Sequence, residues 1–94
     1  MALEFEWDPK KAEANKKKHD VSFEEAGTAF VDPLHEVIAD PRPSQGEERF
    51  VLFGQSNTGR LLAVMHTERG ERIRIISARV ATPRERRQHE KGNH

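Results

Sequence analysis

The chain has no cysteine and no tyrosine, and its aromatic side chains are five phenylalanines and one tryptophan among 94 residues. Without cysteine there is no disulfide framework, no zinc ribbon and no thiol nucleophile. With most of the six rings needed for a core, few remain to stack single-stranded bases, which weighs against a stand-alone RNA-binding module. No apolar run approaches the roughly 18 residues of a spanning helix, and the opening MALEFEWD lacks the basic-then-apolar layout of a signal peptide, so a cytoplasmic protein with no membrane partner is expected. Large aliphatics are also scarce. Leu, Ile, Val and Phe number 5, 4, 6 and 5, close to the level below which a highly charged chain stays unfolded. Charge balance removes that obstacle: 16 basic and 16 acidic side chains cancel, so the chain collapses without strong self-repulsion. Its length supports one core, giving a single domain over 1–94 with a frayed tail at 91–94.

The cancelled total hides a polarity along the chain. Residues 21–48 carry seven acids against one Arg, whereas residues 49–94 carry nine Arg and one Lys against four acids. Arg offers a planar fork matched to phosphate and carboxylate, so this preference over Lys points to recognition as well as solubility. A wet strand face paired with the acidic segment of the same fold is the plainer explanation of such a run.

Leu3 to Trp7 alternates apolar and acidic residues and predicts a short strand. Asp8-Pro9 supplies an N-cap and a proline at the first helical position, opening a helix that ends near His19-Asp20, where Asp tolerates a left-handed cap. Ser22-Phe23-Glu24-Glu25 is a capping box, and Phe23, Ala26, Ala29 and Phe30 share one face of the helix it starts. The period then changes. Strands are predicted at 34–39, 49–55, 61–67 and 72–80, with Gly46, Gly54, Gly59 and Gly70 serving the turns. Thr82-Pro83-Arg84-Glu85 is a second capping box and opens a short charged helix. The fold class is therefore α+β: two N-terminal helices on one face of an antiparallel meander, a short C-terminal helix, and the other sheet face free for a partner. Strict alternation puts Ile73 and Ile75 on the helix side and Arg72, Arg74, Ile76 and Ala78 on the free side; a bulge near Ile75-Ile76 would turn Arg79 to the free side as well.

The five histidines show no pair at the spacing of a helical metal site and no HExxH, and no glycine-rich phosphate loop is present, so neither metal nor cofactor is expected. What remains is a set of His, Glu and Arg at the strand ends. Phosphodiester cleavage of RNA needs a base for the 2′-hydroxyl, cations for the pentacoordinate phosphate and an acid for the leaving oxygen, with no obligatory metal. His66 or Glu48 suits the base, and Arg49, Arg74 or Arg79 suits the clamp. Exposed cross-strand ion pairs, at roughly 0.2–1 kcal/mol each, would account for the same residues. Lys16-Lys17-Lys18-His19 reads either as a solvated helix end suited to the dipole or as a phosphate-binding edge.

Three ordered blocks, FEWDPKKAEANKKKHDVSFEEA, GEERF and HTERGERIRIISARVATPRER, resemble over about residues 5 to 90 the BrnT family of small bacterial type II toxins. The resemblance implies a RelE- and ParE-like fold, ribonuclease activity that arrests translation, and neutralisation by a ribbon-helix-helix (BrnA-like) antitoxin encoded beside it, with operator DNA bound only through the antitoxin complex. It points to His19, Glu48, Arg49, His66 and Arg79 as catalytic and to Lys18, Thr67, Arg69 and Arg74 as substrate-binding. Asp20 stands where the family usually has glycine, and His89 where a terminal tyrosine is common. A non-catalytic toxin or binding module of the same fold, acting on a protein, is the alternative.

Overall fold

The computed structural model describes residues 3–42 and 46–92. Its elements are β1 (Glu4–Glu6), α1 (Pro9–His19), α2 (Phe23–Thr28, continued by a 3-10 turn at Ala29–Val31), β2 (Glu36–Ala39), β3 (Phe50–Gln55), β4 (Leu61–Arg69), β5 (Arg72–Val80) and α3 (Pro83–Gly92). The fold is α+β as expected, but the sheet is mixed. Its order is β1-β5-β4-β3-β2, an antiparallel meander of β2 to β5 with β1 added parallel to β5. Complementary alternation explains the parallel strand: Phe5 lies opposite Ile73, while Glu4 and Glu6 lie opposite Arg72 and Arg74.

The helix starts follow their capping chemistry. Asp8 Oδ1 accepts the Lys10 N–H at 2.9 Å, and α1 ends on Asp20 at φ 57°, its N–H donating to the Lys16 carbonyl at 3.0 Å. A left-handed residue at this position is what glycine supplies most easily, and Asp is one of the few side chains that tolerates it. Ser22 Oγ accepts the Glu25 N–H at 3.0 Å, but Glu25 does not complete a capping box. Its carboxylate turns instead to Arg60, Ser56 and Thr58, because a guanidinium and two hydroxyls outcompete one backbone amide. Thr82 and Glu85 do form the reciprocal box, at 3.1 and 2.9 Å.

Helices α1 and α2 cover one sheet face, burying Val21, Phe23, Leu52, Leu62, Val64 and Ile75 almost completely. The register on β5 slips between Met65, opposite Ser77, and His66, opposite Ile75, leaving Ile76 as the extra residue of a bulge. This corrects the alternation for Ala78, which joins Ile73 and Ile75 in the core, while Ile76 packs on the opposite face with Val51, Ala63 and Met65. Beyond the end of β1, Asn15 takes over as partner of β5. Its Nδ2 donates to the Ala78 and Val21 carbonyls, both at 2.9 Å, and its Oδ1 accepts the Ala78 N–H at 3.1 Å. Gly54 serves no turn: it lies inside β3, where a Cβ would stand 2.5 Å from the Ala29 carbonyl, so the 3-10 turn rests directly on the strand.

The opposite face is not wholly free. Helix α3 crosses one end of it, held by Glu85 on Arg79 and by His89 Nδ1 at 2.7 Å from Glu36. It runs through Gly92; residues 93 and 94 of the expected tail lie outside the described residues.

Candidate functional site

Cross-strand register builds the site on the face opposite α1 and α2. Thr67 pairs with Arg74, and Arg74 with Glu6. Arg49 precedes Phe50, the partner of His66, so its side chain falls beside Thr67, and Thr67 Oγ1 donates to the Glu48 carbonyl at 2.7 Å. Arg49, Thr67 and Arg74 thus form one row across three strands. Arg69 and Arg72 stand opposite each other one step toward the β4–β5 turn. On the other side of the row come apolar Val51, Met65 and Ile76, then Arg79 opposite Ala63, turned to this face by the bulge. Arg72 belongs to the cationic surface although the resemblance does not point to it; its pairing with Arg69 across the turn is the signal that finds it.

Most of these cations are already engaged. Arg74 Nη1 lies 2.8 Å from Glu6, Arg72 3.5 Å from Glu4, and Arg69 3.7 Å from Glu47. Arg79 makes a two-point contact with Glu85, at 2.7 and 3.0 Å, which ties the first turn of α3 to the sheet. Arg49 differs: among the described residues its buried Nε has no hydrogen-bond partner. An unsatisfied buried guanidinium nitrogen on a half-buried arginine suits an anion that arrives from outside.

The remaining candidates lie elsewhere. His66 projects to the helix side, where it is 5 % exposed, with its ring 4.8 Å from Phe30 and 5.8 Å from Phe50 between centroids. Burial lowers its pKa below the ordinary histidine value, so the ring is neutral at pH 7. With Nδ1 3.2 Å from the Val64 carbonyl, the hydrogen assigned there leaves Nε2 with the lone pair. The ring borders a cleft of about 320 Å³ together with His35 and Glu68, neither pair member being foreseeable from sequence spacing. Lys18 and His19 close α1 on this same side, away from the arginine row. Glu48 is exposed, and it is its backbone carbonyl that meets Thr67. Among the described residues no group of three His, Asp or Glu side chains converges as metal ligands would.

The two engaged carboxylates make stability depend on acid. The Arg60 hydrogen bond lowers Glu25 to about 2, and the Arg79 hydrogen bond lowers Glu85 to about 2. A depressed carboxylate stabilises fully above its unfolded pKa of about 4.5 and ceases to do so as pH falls through its folded value. The melting temperature is therefore expected to hold from pH 7 to about 5 and to fall steeply between about pH 4.5 and 2. Glu25→Gln, measured by thermal circular dichroism, should lower stability at pH 7 and flatten that acid limb.

The architecture is a five-stranded mixed sheet with helices on both faces and an arginine-bearing surface opposite α1 and α2. It matches the crystal structure of the Brucella abortus ribonuclease toxin BrnT with a TM-score of 0.65 at 23% sequence identity, covering 86% of this chain and 99% of that one. Residues 7–85 match the family described as ribonuclease toxin, BrnT, of type II toxin-antitoxin system. The chain belongs to the BrnT family of ribonuclease toxins, and a type II system provides it with a protein antitoxin. A comparison with curated proteins gives no match. No helix among the described residues is long and apolar enough to cross a membrane.

Proposed function

We propose that this chain is a metal-independent endoribonuclease that binds single-stranded RNA on the arginine face and cleaves it beside the Arg49–Thr67–Arg74 row. The observation that carries this reading is the half-buried Arg49, whose buried Nε has no hydrogen-bond partner among the described residues, in one row with Thr67 and Arg74. In the reaction the 2′-oxygen forms a bond to phosphorus as the bond to the 5′-oxygen breaks. The doubly negative phosphorane gains most from fixed N–H donors, so the two guanidinium groups act where charge develops. Glu48 takes the 2′-hydroxyl proton, and the leaving oxygen is protonated from water. Thr67 holds the Glu48 backbone in place, Arg69 and Arg72 bind flanking phosphates, and Arg79, occupied by Glu85, contributes charge more than a free fork. His66 props β4 from the helix side, and Lys18 and His19 reach only RNA that wraps round the sheet edge.

The family resemblance supports the rest of the reading: one toxin domain with a RelE- and ParE-like fold, arrest of translation through RNA loss, and neutralisation by a ribbon-helix-helix antitoxin that carries the operator-DNA contacts. The test is incubation of the purified protein with total RNA in excess EDTA, with and without that antitoxin. Cleavage that persists in EDTA and stops with antitoxin is expected. Cleavage that returns only with added divalent ion would overturn metal independence. Antitoxin binding with no cleavage under any condition would favour the non-catalytic alternative. His66→Gln should lower the melting temperature and leave the cleavage rate of the folded protein near that of the parent, whereas Glu48→Gln should do the reverse.

A further inference from the structure

The large apolar side chains exposed among the described residues are concentrated. Val31 (72 % exposed), Leu34 (56 %), Val37 and Ile38 fall within eight residues of chain, and Leu3 shares a cleft with Val37; Val80 alone lies apart. The concentration follows β2, an edge strand. Because the Asp40 N–H donates to the Arg49 carbonyl at 2.8 Å, the paired positions along β2 are 36, 38 and 40, and the N–H and C=O groups of Val37 and Ala39 point away from the sheet. Edge strands are ordinarily guarded by charge, proline or a bulge. The other edge of this sheet is guarded: β1 carries Glu4 and Glu6, and Asn15 closes β5 beyond it. β2 instead presents Val37 on one side and Ile38 on the other, beside an open ladder, which marks a docking surface for an added strand.

We propose that the protein antitoxin binds here, laying an extended segment along β2 with apolar residues on Val37 and Leu34 and basic residues near Asp32 and Glu36. Charge selects this occupant over a second copy of the chain. From Val31 to Arg42 three carboxylates stand against one arginine. Asp40 is already held by Arg42, so Asp32 and Glu36 carry the remaining negative charge; self-pairing would bring two such net-negative segments together, whereas a basic-apolar strand meets opposite charge. The added strand runs on past Asp40 alongside Arg49, one strand away, so bound antitoxin reaches the edge of the arginine row. The inference rests on the toxin-antitoxin reading but not on RNA cleavage.

Hydrogen exchange with and without antitoxin, and binding by calorimetry, test it on the full chain. The Val37 and Ala39 amides should gain protection in the complex. Ala39→Pro removes an outward N–H that no ladder bond uses, and Val37→Lys places a cation on the apolar strip. Each variant should keep the parent's circular dichroism and bind antitoxin at least about tenfold more weakly, the worth of one lost hydrogen bond or apolar contact. Unchanged affinity in both variants, or amides at 37 and 39 that stay unprotected, would overturn the proposal. So would a dimer of the free chain that both variants abolish. Absence of RNA cleavage with normal antitoxin binding would count against the proposed chemistry alone.

Discussion

Arg49→Ala is expected to slow RNA cleavage by about two to three orders of magnitude, the loss typical of removing one preorganised donor from a developing oxyanion. Stability should change little, because the substitution deletes a buried nitrogen that has no hydrogen-bond partner among the described residues, and the charge it removes acts only through space on Asp40. Arg49→Lys separates charge from geometry. Lysine keeps the cation but loses the two-point fork, so it should recover only a small part of the rate. Arg74→Ala should also slow cleavage, and it additionally strands Glu6, whose partner it removes, so its melting temperature should fall where that of Arg49→Ala does not. Cleavage at the parent rate by Arg49→Ala would remove the row from the mechanism. Rates from a short labelled RNA, with melting temperatures from circular dichroism on the same samples, decide between the outcomes.

The largest effect on stability is expected at Asn15, far from any chemistry. Its carboxamide serves the backbone N–H and C=O of Ala78 and the carbonyl of Val21 in a site where water has little access. Asn15→Ala leaves these groups buried and unsatisfied, which costs about 2–4 kcal/mol. For a domain of this size that corresponds to a melting temperature lower by about 10–25 °C. Asn15→Asp should do no better, since a carboxylate cannot donate to the two carbonyls and brings a charge into the core. A shift of only one or two degrees would mean that water reaches β5 beyond β1. Cleavage at low temperature, where the variant is still folded, should match the parent.

Local chemistry made much of the fold legible. The Asp8-Pro9 cap, the left-handed Asp20 and the Thr82-to-Glu85 box are short-range devices, and each sits where its residues require. Long-range competition accounts for what was not legible. Glu25 had a local partner in its own helix start and took Arg60 from 35 residues away, because charged donors outbid a single amide. The pairing of β1 with β5 depends on Phe5 meeting Ile73 across the whole chain, and nothing near Leu3 in sequence announces it. The adjacent isoleucines at 75 and 76 did announce a bulge, and that bulge decided which face Ala78 and Arg79 occupy.

The candidate site was legible as a set of residue types but not as a place. Arg49, Thr67, Arg69 and Arg74 fall together on one face, because they hold matching positions in three neighbouring strands, and Arg79 shares that face beyond the apolar Val51, Met65 and Ile76. His66 differs from Thr67 by one residue, and one residue in a strand is the width of the sheet. Its burial against Phe30 and Phe50 depends on where α2 lays its 3-10 turn, which alternation along β4 does not reveal. Arg79 belongs to the same face, yet the glutamate that occupies it comes from the capping box of α3, so the same four residues that start a helix also engage a candidate clamp.

In the proposed reaction the 2′-hydroxyl of the substrate is the nucleophile, and the chain's own guanidinium groups take the place of a metal ion. Analysis of the product ends formed by the purified protein in excess EDTA tests it most directly. Internal attack predicts fragments that end in 2′,3′-cyclic phosphate and begin with a 5′-hydroxyl, and no cleavage at a position carrying a 2′-O-methyl group. Fragments ending in 3′-hydroxyl and beginning with 5′-phosphate, or cleavage that proceeds through a 2′-O-methyl position, would contradict it.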